Sequence, residues 1–234
     1  MRIKFKKTNA RGTASYEAGS EDNPVKYRAK IPMSMLTKGH ADLFKENDLI
    51  YRLKMASFGD ISEQNKPRKR GEVRRFKVCD IQDKHGKVQG EIRRCIIKRF
   101  GLFRGMRYHE FDIKGNTFCA HEVGFGKAGL TISIYEKKPN KQIALIELGA
   151  TSYNSKIEYD IWGVDELSLE IALIFNLFYS FRRFDRRRET FDTTKETHYT
   201  YTINKEAKAK YDPMFKEKIK KQMRQQCEGD EQND

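Results

Sequence analysis

Few residues of this 234-residue chain have the types and spacing that chemistry requires. Cys119 and His121 form a Cys-x-His pair with Glu122 beside it. In an extended segment the pair shares one face, and a thiolate with an imidazole is the beginning of a zinc site. Zinc takes about four N or S ligands. No second closely spaced pair exists, and Cys79 and His109 could join only if the fold carried them there. The expectation is therefore no metal, with a core thiol and an ordinary histidine instead. Gly124, Gly126 and Gly129 spell G-x-G-x-x-G. A dinucleotide site needs a helix N-terminus after the glycines to receive the pyrophosphate, yet Leu130 to Glu136 alternates as a strand. Kinase-type H-R-D and D-F-G motifs are missing downstream, so the glycines read as a strand connection. His40, His85 and His198 have no legible partners, there is no G-x-S-x-G elbow, and the acidic residues form no paired motif. The residues point to a non-enzymatic chain with no catalytic residue and no cofactor.

Charge is the stronger signal. Forty-seven Lys and Arg against 33 Asp and Glu give a net +14, which directs attention to polyanions: an anionic membrane face, nucleic acid or an acidic partner. The basic residues cluster. Lys66, Arg68, Lys69 and Arg70 share one segment, with Arg74 and Arg75 next; Arg93, Arg94, Lys98 and Arg99 lead into Phe100-Gly101-Leu102-Phe103-Arg104-Gly105. A third group is Arg182, Arg183, Arg186, Arg187 and Arg188. A Gly-bounded tip could insert Phe100, Leu102 and Phe103 between headgroups while the arginines, Arg104 included, hold phosphates; the opposing reading folds these aromatics into the core. Charge alone would equally serve nucleic-acid backbones. No RNP-like or helix-turn-helix pattern is present, and the aromatics are too few for a stacking platform.

The elements that must position these clusters are mainly strands. The apolar fraction is 38%, so apolar residues must be concentrated to form a core. Residues 1–22 are polar and basic and read as a flexible N-terminal segment or a weak strand. Asn23-Pro24 is a turn signal, residues 25–31 read as extended, and 33–44 are ambiguous. From Leu49 the period is two, and strand-sized stretches follow at 49–55, 75–81, 87–94, 106–113, 117–122, 130–136, 142–148, 151–153 and 156–162. They recur without intervening helices, so an antiparallel meander closed as a barrel or sandwich is expected. At Leu167 to Phe181 (LSLEIALIFNLFYSF) the polar Ser168, Glu170, Asn176 and Ser180 do not gather on one face. Such a helix is buried all round or crosses a membrane. At 1.5 Å per residue the run spans about 22 Å, short of a hydrocarbon core of about 30 Å. A central helix over 166–181, capped by Asp165 and threaded through a closed barrel, fits better. Asp212-Pro213 opens an amphipathic helix over about 213–226, whose Phe215, Ile219 and Met223 need a partner groove or the protein's own surface. An acidic tail ends the extension from 191 to 234. The four Cys form no C-x-x-C and Met1 to Lys7 precedes no apolar h-region, so reduced thiols in the cytoplasm, with a peripheral place at the inner membrane face, are expected.

The stretches HEVGFGKAGLTISIYE (121–136), KQIALIE (141–147) and LEIALIFNLFY (169–179), with YRLKMASFGD (51–60) and CDIQDKHG (79–86) before them, resemble the bacterial tubby C-terminal-domain-like proteins, relatives of the LURP-one-related and phospholipid scramblase families. The resemblance covers about residues 48–184. It implies a mainly β fold: a closed antiparallel barrel of about twelve strands around a central hydrophobic helix, here over residues 23–190. By class it also implies binding of anionic phospholipid, phosphoinositides included; the family's characteristic C-terminal motifs are not found, so no lipid-site residue transfers individually. The expectation is thus a peripheral binder of anionic phospholipid. A protein-interaction scaffold using the C-terminal helix and a sequence-nonspecific nucleic-acid binder are the alternatives.

Overall fold

The computed structural model describes residues 1–9, 13–20, 23, 26–32, 39–56, 73–97, 107–124, 130–148, 158–186 and 209–230. Twelve strands alternate in direction around a closed barrel. They are β1 (Arg2–Asn9), β2 (Thr13–Gly19), β3 (Tyr27–Pro32), β4 (His40–Lys45), β5 (Asp48–Met55) and β6 (Val73–Gln82), then β7 (Val88–Ile97), β8 (Arg107–Ile113), β9 (Asn116–Gly124), β10 (Leu130–Glu136), β11 (Lys141–Leu148) and β12 (Glu158–Gly163). Each pairs antiparallel with its chain neighbours, and β1 closes the ring on β12 through Arg2↔Trp162 to Lys6↔Glu158. Closure leaves no unpaired strand edge among them.

Helix α1 (Glu166–Arg186) fills the barrel. Asp165 caps it, its Oδ1 accepting the Ser168 N–H at 2.8 Å. Leu169, Ile171, Leu173, Ile174, Phe175, Leu177 and Phe178 are all buried in one cluster with inward-facing strand residues such as Phe5, Leu43, Leu53, Phe111 and Ile161. Ala14, Ala18, Ala29 and Ala41 are also buried in this cluster, small inward residues that leave the wall room for the helix. Of the four polar residues in the 167–181 run, Ser168, Asn176 and Ser180 are enclosed as well. Glu170 instead reaches the rim, where Lys45 Nζ lies 3.1 Å from its carboxylate. No helix among the described residues is long and apolar enough to cross a membrane.

Residues 1–22 correct the expectation of a flexible segment, and the barrel begins at residue 2 rather than 23. Ile3 and Phe5 point inward between Arg2, Lys4 and Lys6; Ala14, Tyr16 and Ala18 do the same on β2. The alternation is present, but charged outward residues on a half-buried strand make it look polar throughout. Among the described residues, eight strands run from residue 48 onward and four more come from residues 2–45. The expected strand at 151–153 lies outside the described residues. Turn chemistry holds at the 114–115 connection, where Lys114 and Gly115 both take positive φ (50° and 80°), as a two-residue hairpin demands. At Gly90 the β7 backbone approaches β8 so closely that a Cβ would sit 1.9 Å from the Asp112 carbonyl oxygen.

Candidate functional site

On the outer wall, basic strands alternate with acidic ones, and cross-strand pairs neutralise much of the charge. Arg2 meets Asp160 at 2.7 Å, Lys4 meets Glu158 at 3.5 Å, and Arg52 meets Asp42 at 2.7 Å. Arg93 belongs to this belt: it binds Glu91 at 3.0 Å and also Asp112. Arg94, its chain neighbour, faces the barrel interior, because adjacent residues of a strand point to opposite faces. Arg93 and Arg94 therefore do not form one exposed patch.

The most tightly held outer carboxylate is Glu110, nearly inaccessible on β8. Arg75 Nε donates to it at 2.8 Å, Lys137 Nζ at 3.0 Å and Tyr108 Oη at 3.2 Å. Burial alone would raise its pKa, but the hydrogen bonds from Arg75 and Lys137 outweigh burial and hold it down at about 2. Next to it His121 lies between Tyr108, stacked at 5.2 Å, and Tyr135, edge-on at 5.7 Å. Burial, then the Lys210 charge, lowers its pKa to about 4, so the ring is neutral. Cys119 does share the outer face with His121, as spacing indicated. Burial raises the pKa of the Cys119 thiol and, with Glu110 nearby, pushes Cys95 up to about 12, so neither is an activated thiolate. Among the described residues no three His, Cys, Asp or Glu side chains gather as metal ligands.

Beside this region the barrel carries its own C-terminal extension. Asp212 caps helix α2 (Phe215–Asp230), accepting the Met214 N–H at 2.9 Å, and its own N–H donates to Gln142 at 3.1 Å. Phe215 and Ile219 are buried against Leu145 and Trp162. Lys216 binds Glu147 at 2.9 Å, and Lys216 and Lys220 lie 5.5 and 6.0 Å from the Trp162 ring. Two of the three apolar residues expected to need a groove thus use the protein's own surface, and Met223 stays exposed.

The remaining charge is distributed by topology. Strands alternate in direction, so even-numbered strands of the hairpins end at one rim and odd-numbered ones at the other. Helix α1 enters at the upper rim, beside Gly163, and leaves at the lower rim, where Phe181 packs under Gly39. Connections 20–26, 46–47, 83–87, 114–115, 137–140 and 164–165 belong to the upper rim and contain six Lys/Arg and five Asp/Glu. Connections 10–12, 33–39, 56–72, 98–106, 125–129 and 149–157 join strand ends at the lower rim and contain eleven Lys/Arg against three Asp/Glu. In sequence, Lys66, Arg68, Lys69, Arg70, Lys98, Arg99, Arg104, Phe100, Leu102 and Phe103 belong to these connections, and Arg187 and Arg188 follow the last residue of α1. All of these lie outside the described residues; Arg186 is the last residue of α1. The glycine motif at 124–129 also joins β9 to β10 at the lower rim, between two strands, with no helix after it.

Sequence reading missed the inward-facing charges near this rim, Arg74, Arg94, His109 and Glu122. The signal was available as parity: each occupies the apolar phase of its strand. The upper rim holds a cleft of about 20 Å³ beside Tyr51, Lys114, Leu167 and Glu170, room for a water and nothing larger. The chain matches no family model, no curated protein and no solved structure.

Proposed function

We propose that the chain is a non-enzymatic binding module that docks its lower rim on anionic phospholipid headgroups, as a peripheral protein of the inner membrane face. What supports this reading is the polarity of charge: eleven basic against three acidic residues in the lower connections, six against five in the upper. A paired wall gives a membrane little to attract, whereas an unbalanced rim carries a field toward one surface. Phe100, Leu102 and Phe103 belong in sequence to the connection between β7 and β8, whose strand ends lie at that same rim, and so share a connection with Lys98, Arg99 and Arg104. The resemblance to tubby-like proteins makes the same suggestion.

The test is co-sedimentation with neutral and with phosphatidylserine vesicles, beside oligonucleotides at matched salt. Each basic residue near an anionic surface contributes about 1 kcal/mol, so Arg186→Ala/Arg187→Ala/Arg188→Ala should weaken vesicle binding about a hundredfold. Lys84→Ala/Lys87→Ala/Lys138→Ala at the upper rim should change it little. Equal losses from the two rims, or no binding to anionic vesicles at low salt, would refute the reading. Tighter binding to oligonucleotides that Phe103→Ser leaves unchanged would transfer the rim to nucleic acid.

A further inference from the structure

Helix α2 is longer than the surface that supports it. Phe215 and Ile219 are buried against Leu145 and Trp162. Met223 continues the same stripe one turn further on, yet it stays 37% exposed. From Lys221 to Gln225 every residue is exposed, while the helix runs on to Asp230. A helix of this length gains most of its stability by packing an amphipathic face, and here the wall covers the first two members of the stripe and not the third.

The cations around the stripe indicate what would cover the whole of it. Residues 209–225 contain six Lys/Arg against two Asp/Glu. At 3.6 residues per turn, Lys216 and Lys220 border the stripe on one side and Lys218 on the other, with Lys221 and Arg224 opposite. A narrow apolar stripe in a lysine-rich helix suits the plane of an anionic bilayer: apolar side chains enter the acyl boundary, and long cationic ones reach back to the headgroups. A groove in an acidic protein would need carboxylates along both edges, whereas a layer of headgroups supplies negative charge on every side.

The polar ties divide in a way that allows a transfer. Lys218–Asp212 at 2.6 Å and Lys220–Glu217 at 2.8 Å lie within the arm and would move with it, as would the Asp212 cap on the Met214 N–H. Transfer gives up Lys216–Glu147 at 2.9 Å, the Asp212 N–H bond to Gln142 at 3.1 Å, and the Trp162 ring near Lys216 and Lys220. A bilayer would receive Phe215 and Ile219 in place of the wall, and Met223 as well. It would also meet Lys221 and Arg224, which form no salt bridge among the described residues. Such differential contacts are what shifts an arm from one surface to another.

We propose that α2 is a membrane-binding helix stored on the barrel wall, which transfers Phe215, Ile219 and Met223 to an anionic phospholipid surface. The inference shares with the rim reading only the negative surface, and the two use different residues. The test is a Trp162→Phe/Met223→Trp chain, whose one tryptophan reports the exposed end of the stripe. Phosphatidylserine vesicles should shift its emission to the blue, and brominated acyl chains in them should quench it; phosphatidylcholine vesicles should do neither. In the wild-type chain the same anionic vesicles should open Trp162 to acrylamide, because the arm has left it. Met223→Ser leaves the wall contacts intact, so it should keep the Tm and raise the lipid concentration needed for binding about tenfold or more. Val88→Ser, at an exposed apolar residue of β7, should not. Vesicle binding with neither blue shift nor acrylamide exposure overturns the arm and leaves the rim reading standing. A blue shift without acrylamide exposure overturns the transfer. Insertion that Arg186→Ala/Arg187→Ala/Arg188→Ala leaves undiminished refutes the rim and keeps the arm. A blue shift with polyglutamate and none with vesicles assigns the helix to an acidic protein and overturns the bilayer.

Discussion

Acid should loosen this barrel in two separable steps, and His121 should account for the first. The ring is buried between Tyr108 and Tyr135, and burial lowers its pKa from 6.5 to about 4. The unfolded chain therefore binds a proton that the folded chain refuses. The contribution is fully present above pH 6.5 and is lost as pH falls toward 4. Each pH unit inside that window removes about 1.4 kcal/mol, so the whole is about 3 kcal/mol. Glu110 acts lower. Its carboxyl is held at about 2 against 4.5 unfolded, so its stabilisation is present above 4.5 and fades between there and 2. With half-exposed cationic partners, a discounted value of about 2 kcal/mol is appropriate. His121→Phe keeps an aromatic ring between the two tyrosines and deletes the titration. Urea unfolding at pH 7, 6, 5 and 4.5 should show the wild type losing stability that the variant retains. Glu110→Gln should leave this window unchanged and reduce the loss in the lower one, where Glu166, held at about 2 by hydrogen bonds from Lys26 and Lys45, also contributes. Parallel wild-type and His121→Phe profiles from pH 7 to 4.5 would refute the buried neutral histidine.

Leu173 lies at the middle of α1 and is fully buried, so Leu173→Ala should cost about 2–5 kcal/mol and Leu173→Asp should prevent folding; circular dichroism melts read both. Phe215→Ala should release α2 while the barrel stays folded, since the arm touches only one side of the wall. Trp162, the single tryptophan, lies under that arm, so its emission should shift to the red without loss of far-UV strand signal. Unchanged emission would place α2 elsewhere in solution.

The strands from Leu49 onward were legible because one face is buried and one wet, which writes a period of two into the sequence. The central helix was legible for the opposite reason: only a helix enclosed on every side is apolar all round, and Asp165 marks its start. Residues 2–19 were illegible because the outward cations Arg2, Lys4 and Lys6 on β1 swamp the signal of Ile3 and Phe5, the two side chains of that strand in the buried core. Glu110 could not be found at all. Its partners Arg75 and Lys137 are 35 and 27 residues away, so only pairing register brings them together. The inward arginines were misread for a related reason: in sequence, Arg93 and Arg94 are one basic dipeptide, while on a strand they are two residues with opposite surroundings.

A closed barrel filled by its own helix has spent the surfaces that most folds use for binding. Among the described residues no strand edge is free, the middle of the lumen is occupied by Leu173, Ile174 and Phe175, and much of the wall's charge pairs across strands. Part of the wall is also covered by α2. What remains are the connections, and antiparallel closure sorts these by parity, odd hairpins to one rim and even hairpins to the other. Upper connections are two to seven residues long with nearly balanced charge in sequence; lower ones run to seventeen residues and their sequences hold the excess. Stability does not demand that asymmetry. Turn sequences of either charge would close the same hairpins. A distribution of charge along the chain that stability does not require is what the proposed docking on a surface of negative charge would explain.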